Sequence, residues 1–322
     1  MKMNKNFLPK DIPGMIEPIE QEMLQELASK LNLNKNDSIV EFGTFFGRST
    51  ASISLGLLSN PSLNSENKFY AFDSYECDLN GSFYQYVNNF AKNARVENLL
   101  IVNNNKVDFY KIFEFYNKQN IELGVLHPVK AEISKSFPKA ANIKLIHIDS
   151  PKFYSDFKYI FYRFFPKLQI GSYVIFQDFF YHWSATLIAA CGLMIKEGFL
   201  TIEKTAASSL CCKVEKDFDF NSMNEIDLAM DTTEKILILV EFCIKYMELI
   251  EMDRKEIFLP RLTLAKIQYL YENNMQKNAA TEVVKFFKNG NKLNNSILSD
   301  FLDLFQKGFS IRKLYEQDHN II

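Results

Sequence analysis

The sequence predicts an α/β fold: a parallel sheet built from βαβ units over residues 1–218, then a helical extension over 219–322. Three observations carry this. Short apolar runs alternate with helical patterns from about residue 37 to 214. The strand-like runs end in or beside an acidic residue or a glycine. Strand signals then stop after about residue 220. With 322 residues, 47% hydrophobic and 24% charged, the chain has the composition of a globular protein of about two domains.

The elements follow in order. Within the first 36 residues, Glu17 to Lys30 is amphipathic, with Ile19, Met23, Leu24 and Leu27 on one side, and is expected to cover the first strand. Ser38–Phe42, Lys68–Asp73, Ile143–Asp149 and Ser172–Asp178 are the strands. Arg48–Ser59 and Ser155–Lys167 carry helical stripes, and Leu187, Ile188, Cys191, Met194 and Ile195 make a third, closed by Gly198. The pieces 199–206 and 209–214 read as two further strands around a weak turn. Beyond them Thr232–Met252, Leu262–Asn273, Ala279–Phe287 and Ile297–Phe309 have helical period, punctuated by Pro260 and Asn289-Gly290. The run Ile236-Leu237-Ile238-Leu239-Val240 is either core or the seam of a homo-oligomer formed through this helical region, and burial statistics favour core.

Several function classes are excluded by composition. Lys plus Arg number 37 against 39 Asp plus Glu, which argues against a nucleic-acid footprint. The longest apolar candidate for a membrane span is broken by Glu241, and Met1–Lys10 is followed by no signal-like apolar stretch, so a cytoplasmic protein is expected. Cys77, Cys191, Cys211, Cys212 and Cys243 form no Cys-x-x-Cys pair and are expected to be reduced thiols.

The sharpest motif is Ile39-Val40-Glu41-Phe42-Gly43-Thr44-Phe45-Phe46-Gly47-Arg48-Ser49-Thr50. A buried strand runs into Glu41 and then into a glycine-punctuated turn that opens a helix, as at a nucleotide site on the carboxyl edge of a parallel sheet. Gly43 would let the backbone approach a ligand, and Gly47 would allow close entry into the helix. The spacing is neither Gly-x-Gly-x-x-Gly nor a P-loop. Phe69-Tyr70-Ala71-Phe72-Asp73 ends in an acid thirty residues after Gly43, placed to accept two ribose hydroxyls.

With these blocks the sequence resembles class I S-adenosylmethionine-dependent methyltransferases, and within them the macrocin-type sugar O-methyltransferases. Ile146-His147-Ile148-Asp149 and Phe165-Pro166-Lys167-Leu168 followed by Gly171 to Asp178 complete the likeness, which covers residues from about 17 to 214. The resemblance implies a Rossmann-like seven-stranded methyltransferase sheet whose last strand is reversed, with the cofactor over the tips of the first strands. Glu41 and Gly43 would flank its methionine part, Asp73 its ribose and Glu132 its adenine. Thr44 and Ser49 would add hydrogen bonds at the carboxylate end, and Gly47 belongs to the same motif.

The resemblance also sets the catalytic candidates. Metal-using relatives hold a divalent cation between acids ending the fourth and fifth strands, and such an ion takes oxygen ligands and lowers the pKa of a hydroxyl. Asp149, Gln177 and Asp178 stand at those positions and would hold Mg2+. The usual second acid is replaced in Asp149-Ser150-Pro151-Lys152, where Lys152 would repel a cation, so metal dependence stays open. His182 is the other base near that edge, with a structural histidine beside Trp183 as the alternative. Tyr75-Glu76 and Tyr154 are candidates for lining the acceptor site.

These residues imply methyl transfer from S-adenosylmethionine to a hydroxyl of a sugar, glycan or other small molecule, with Asp149, Asp178 and His182 as catalytic residues. Neither nucleic acid nor membrane is expected as a partner. The alternative is a catalytically degenerate methyltransferase fold that binds a partner through its helical C-terminal region.

Overall fold

A computed structural model describes residues 7–139, 141–150 and 154–288. The chain forms α1 (Pro18–Lys30), β1 (Asp37–Phe42), α2 (Arg48–Ser59), β2 (Lys68–Asp73), β3 (Glu76–Asp78), α3 (Ser82–Asn93), β4 (Ile101–Asn103), β5 (Lys106–Asp108), α4 (Tyr110–Glu122) and β6 (Leu126–Lys130). It continues with β7 (Asn142–Ile148), α5 (Tyr154–Phe164), β8 (Leu168–Phe176), α6 (Ala185–Lys196), β9 (Leu200–Ala206) and β10 (Ser209–Val214). Four helices close the described chain: α7 (Phe220–Leu228), α8 (Thr233–Glu248), α9 (Lys255–Glu272) and α10 (Gln276–Lys288).

Seven strands make one mixed sheet in the order β6-β2-β1-β7-β8-β10-β9, and β3-β5-β4 make a second, small one. β1 pairs parallel with β2 and β7, and β2 pairs parallel with β6. β9 and β10 are antiparallel, so the reversed strand expected near the sheet's end is present. This is a Rossmann-like mixed seven-stranded sheet with a helical extension, the architecture the resemblance implies.

By packing, the chain divides into two compact units, Met1–Pro151 with Lys158–Ile175, and Lys152–Phe157 with Phe176–Ile322. In the first, β1 is buried along its whole length, as expected of a central strand in a parallel sheet, whose crossover helices cover both faces. Ile39, Val40, Phe42, Phe69, Phe72, Leu145 and Ile146 fill this core. α1 packs against α2; Pro18 opens its first turn, and the Glu20 carboxylate accepts the Glu17 N–H at 2.7 Å.

In the second unit, α6 is apolar nearly all round and correspondingly buried, packed on α8. α9 and α10 close a helical hairpin over Leu264, Ile267, Leu270, Val283 and Phe286. Lys266 ties it to α8 by pairing with Glu241 at 2.6 Å and Glu282 at 2.9 Å. Cys191, Cys211, Cys212 and Cys243 are buried free thiols, and burial raises the pKa of Cys191 and Cys243, which makes them unreactive.

Two expectations need correction, and one falls outside the description. Pro260 does not end a helix: α9 starts at Lys255 and runs through it, giving up one backbone hydrogen bond while the proline ring is buried. Residues 74–130, left without elements by the sequence reading, hold the small sheet, α3, α4 and the edge strand β6. The Ile297–Phe309 run lies outside the described residues. Ile236, Leu239 and Val240 are buried while Ile238 is exposed, so that run is one core-facing helix stripe with Ile238 turned outward. Among the described residues no helix is long and apolar enough to cross a membrane.

Candidate active site

The turn between β1 and α2 is built by its glycines and by one carboxylate. Gly43 has φ +82°, and a Cβ there would fall 2.7 Å from the Ser150 backbone nitrogen. Gly47 has φ +91°, and its Cβ would fall 2.0 Å from Asn117 Nδ2. Both glycines are therefore demanded by the approach of the protein's own chain. Gly47→Ala is expected to cost about 3 kcal/mol, from left-handed strain plus the Asn117 clash, read as a lower urea midpoint at unchanged slope.

Asp73, at the tip of β2, reaches across to hold that turn. Its Oδ2 accepts the N–H groups of Thr44 at 2.8 Å and Phe45 at 3.0 Å, and its Oδ1 accepts the Tyr75 N–H at 2.7 Å. The Thr44 hydroxyl adds a longer bond at 3.4 Å. Burial pushes the Asp73 carboxyl above its ordinary range, against the pull of these donors. A carboxylate has about four acceptor positions, so Oδ1 keeps room for a further donor.

Glu41 is engaged inside the sheet. It is fully buried, its Oε2 accepts the Thr50 hydroxyl at 2.6 Å, and its Oε1 lies 3.0 Å from His147 Nδ1. The sequence alone assigns His147 no partner. A signal existed: Glu41 and His147 face each other in the β1/β7 register, each the penultimate residue of an otherwise largely apolar strand.

Ser49 and Thr44 are buried at the start of α2 and in the turn. Glu132 is exposed and pairs with Lys135 at 2.8 Å, whose hydrogen bond holds its carboxyl below the usual range. It lines an open cleft of about 410 Å³ with Ser74, Glu76, Lys106, Lys130 and Ala131, beside the tips of β2 and β6. Lys130 bridges Glu76 and Asp108 at its margin. Tyr75 is fully buried, its ring caged by Phe109, Tyr110 and Phe113, so it lines no open site. Tyr154 is nearly buried as well, its N–H bonded to Thr186.

Asp149 follows β7, its N–H donating to the Phe42 carbonyl at 2.8 Å, and its side chain is partly exposed. Pro151 and Lys152 lie outside the described residues. In the second unit, Asp178 follows β8 in a left-handed conformation at φ +56° and is partly exposed. The neighbouring Gln177 is buried and occupied: Ser209 Oγ donates to its Oε1 at 2.6 Å, and its Nε2 donates to Ser208 Oγ at 3.3 Å. His182 is buried, its ring edge-on to Trp183 at 4.9 Å.

The Gln177 carbonyl oxygen already accepts a hydroxyl, and among the described residues no three His, Cys, Asp or Glu side chains converge on a point.

Residues 40–179 match the family model described as a methyltransferase domain. Three solved structures are similar to the chain. The O-methyltransferase NovP is 13% identical, with 63% of this chain and 83% of that one covered at a TM-score of 0.46. CalS11, a TDP-rhamnose 3′-O-methyltransferase of calicheamicin biosynthesis, is 16% identical, covering 60% and 76% at 0.38. An rRNA methylase from Streptococcus thermophilus is 11% identical, covering 63% and 100% at 0.33. No curated protein matches the chain.

Proposed function

We propose that the chain is a cytoplasmic S-adenosylmethionine-dependent methyltransferase that O-methylates a hydroxyl of a sugar, glycan or other small molecule. The observation that carries this reading is the turn tied by Asp73: an acid at the tip of β2 gathers the turn after β1 and keeps an acceptor position on Oδ1. The methyltransferase-domain match over residues 40–179 supports it.

When bound, the sulfonium cofactor supplies a methyl group already attached to a good leaving group. The chain's task is then mostly alignment and exclusion of water. Asp73 is assigned the ribose hydroxyls. Glu132 and the cleft it lines beside Ser74 and Ala131 are assigned the adenine end. Thr44 and Ser49 are assigned the carboxylate end, where the Gly43–Gly47 turn sets their position. Glu41 acts from within the sheet, anchoring Thr50 at the first turn of α2. Asp149 and Asp178, each partly exposed past the end of its strand, are assigned the acceptor hydroxyl. Asp178 takes its proton, while buried His182 shapes the segment that presents Asp178.

Calorimetric titration of the wild-type chain with S-adenosylmethionine and with its demethylated product tests the proposal. Saturable binding of both is expected, unchanged by added magnesium or by EDTA. A well-folded chain that binds neither overturns it.

A further inference from the structure

We infer that Arg261 of α9 is a positioning residue: it is the point at which the helical extension sets the chain after β8, residues 178–184, which the proposed reaction uses on its acceptor side. The inference rests on that reading for its functional meaning, while its geometry stands apart from it.

The segment has little regular backbone to hold it. Asp178 enters it with a left-handed backbone at φ +56°, a conformation that aspartate tolerates better than most residues. Tyr181 N–H donates to the Asp178 carbonyl at 3.2 Å, and the Ser184 hydroxyl reaches back to the Tyr181 and Phe179 carbonyls at 2.6 and 3.0 Å. These are consecutive tight turns. The segment is also tied to the β9–β10 turn, Phe180 N–H donating to the Ser208 carbonyl at 3.3 Å and Ser208 Oγ to Asp178 Oδ1 at 3.4 Å. Aromatic side chains pack along it: Tyr181 and Trp183 stack at 4.5 Å with 12° between their planes, and His182 meets Trp183 edge-on.

The stack is held from α9. The Arg261 guanidinium lies 4.9 Å from the Tyr181 ring centre and 5.5 Å from that of Phe258. Phe258, one turn earlier on α9, in turn contacts Phe180 at 5.8 Å. Arg261 is only 8% exposed, so its charge is withdrawn from water and its attraction to the ring faces is correspondingly strong. A planar guanidinium can lie flat on a tyrosine ring, whereas an ammonium cannot stack, so lysine is not equivalent at this position. Two adjoining turns of α9 thus touch two consecutive residues of the segment.

The chain contains a single tryptophan, Trp183, which makes the segment directly observable. The experiment uses the full chain and the variants Arg261→Met, Arg261→Lys and Lys266→Met. Lys266 lies on the same helix but bridges only Glu241 and Glu282, away from the segment. Each variant is measured by Trp183 emission, acrylamide quenching, thermal unfolding and calorimetric titration with S-adenosylmethionine. The expected result is a red shift and stronger quenching in both Arg261 variants, with the folded state retained. Lys266→Met should unfold at lower temperature yet keep the wild-type Trp183 signal. Native emission in Arg261→Met overturns the inference, as does full rescue by Arg261→Lys or an equal shift in Lys266→Met. If wild type fails to bind S-adenosylmethionine, the proposed function falls, but the Trp183 comparison still decides whether Arg261 sets this segment.

Discussion

Glu41→Ala is expected to cost roughly 3–5 kcal/mol of folding stability, the largest loss anticipated for a single side chain here. The carboxylate is fully buried, and both its oxygens are in use. Removing it strands His147 Nδ1 in the sheet interior and the Thr50 hydroxyl at the start of α2, and leaves a cavity between them. Glu41→Gln keeps an acceptor oxygen for one of the two and should cost about half as much. His147→Leu combined with Glu41→Leu removes both polar partners together and should be milder than the sum of the single changes, since buried pairs are often replaceable by apolar residues as a unit. Urea unfolding of wild type, Glu41→Leu, His147→Leu and the double variant gives the coupling energy directly. A Glu41→Ala protein as stable as wild type would show that the pair does not hold the strand tip.

The central strands were legible because parallel strands covered on both faces read as short apolar runs, and β1 and β2 end where the pattern stops, at Phe42 and Asp73. The stretch between β2 and β7 was not. β3, β4 and β5 have three residues each, too few to establish an alternation. β6 is an edge strand, so it tolerates His127 and Pro128, residues that argue against a strand elsewhere. Pro260 misled for the opposite reason: a proline near a helix start is read as a stop, yet α9 begins five residues before it.

At the site, residue types were readable but their partners were not. The glycines were expected where they are, but the atoms that approach them belong to Ser150 and Asn117, about 107 and 70 positions further along the chain, and no local pattern announces such contacts. The same holds for Arg261 and Tyr181, which come from α9 and from the chain after β8. The resemblance places Gln177 among the residues that would hold Mg2+. The hydroxyls that occupy it, Ser208 and Ser209, sit at the turn of the β9–β10 hairpin, and only the fold brings them to it.

Asp73→Ala should weaken S-adenosylmethionine binding by roughly ten- to a hundredfold, the loss of one charge-assisted hydrogen bond from ribose to the open position on Oδ1. It should also loosen the turn, since the N–H groups of Thr44, Phe45 and Tyr75 lose their acceptor. Asp73→Asn separates the two effects: one carboxamide oxygen can still serve the turn, but the amide NH2 opposes N–H donors, so stability recovers in part while binding stays weak. The pH dependence carries a second signature. Burial holds the folded Asp73 carboxyl above its ordinary 3.8, so the folded state takes up this proton before the unfolded chain does. Between 3.8 and that raised value, rising pH therefore removes stability contributed by Asp73, and the stability difference between wild type and Asp73→Ala should narrow across the window. Binding runs the other way: ribose hydroxyls need the ionised acid, so affinity should fall on acidification with a midpoint above that of an ordinary aspartate. Calorimetry across this range on folded protein reads both. Affinity in Asp73→Ala close to that of wild type, with native unfolding behaviour, would place the ribose elsewhere and leave Asp73 as a turn anchor alone.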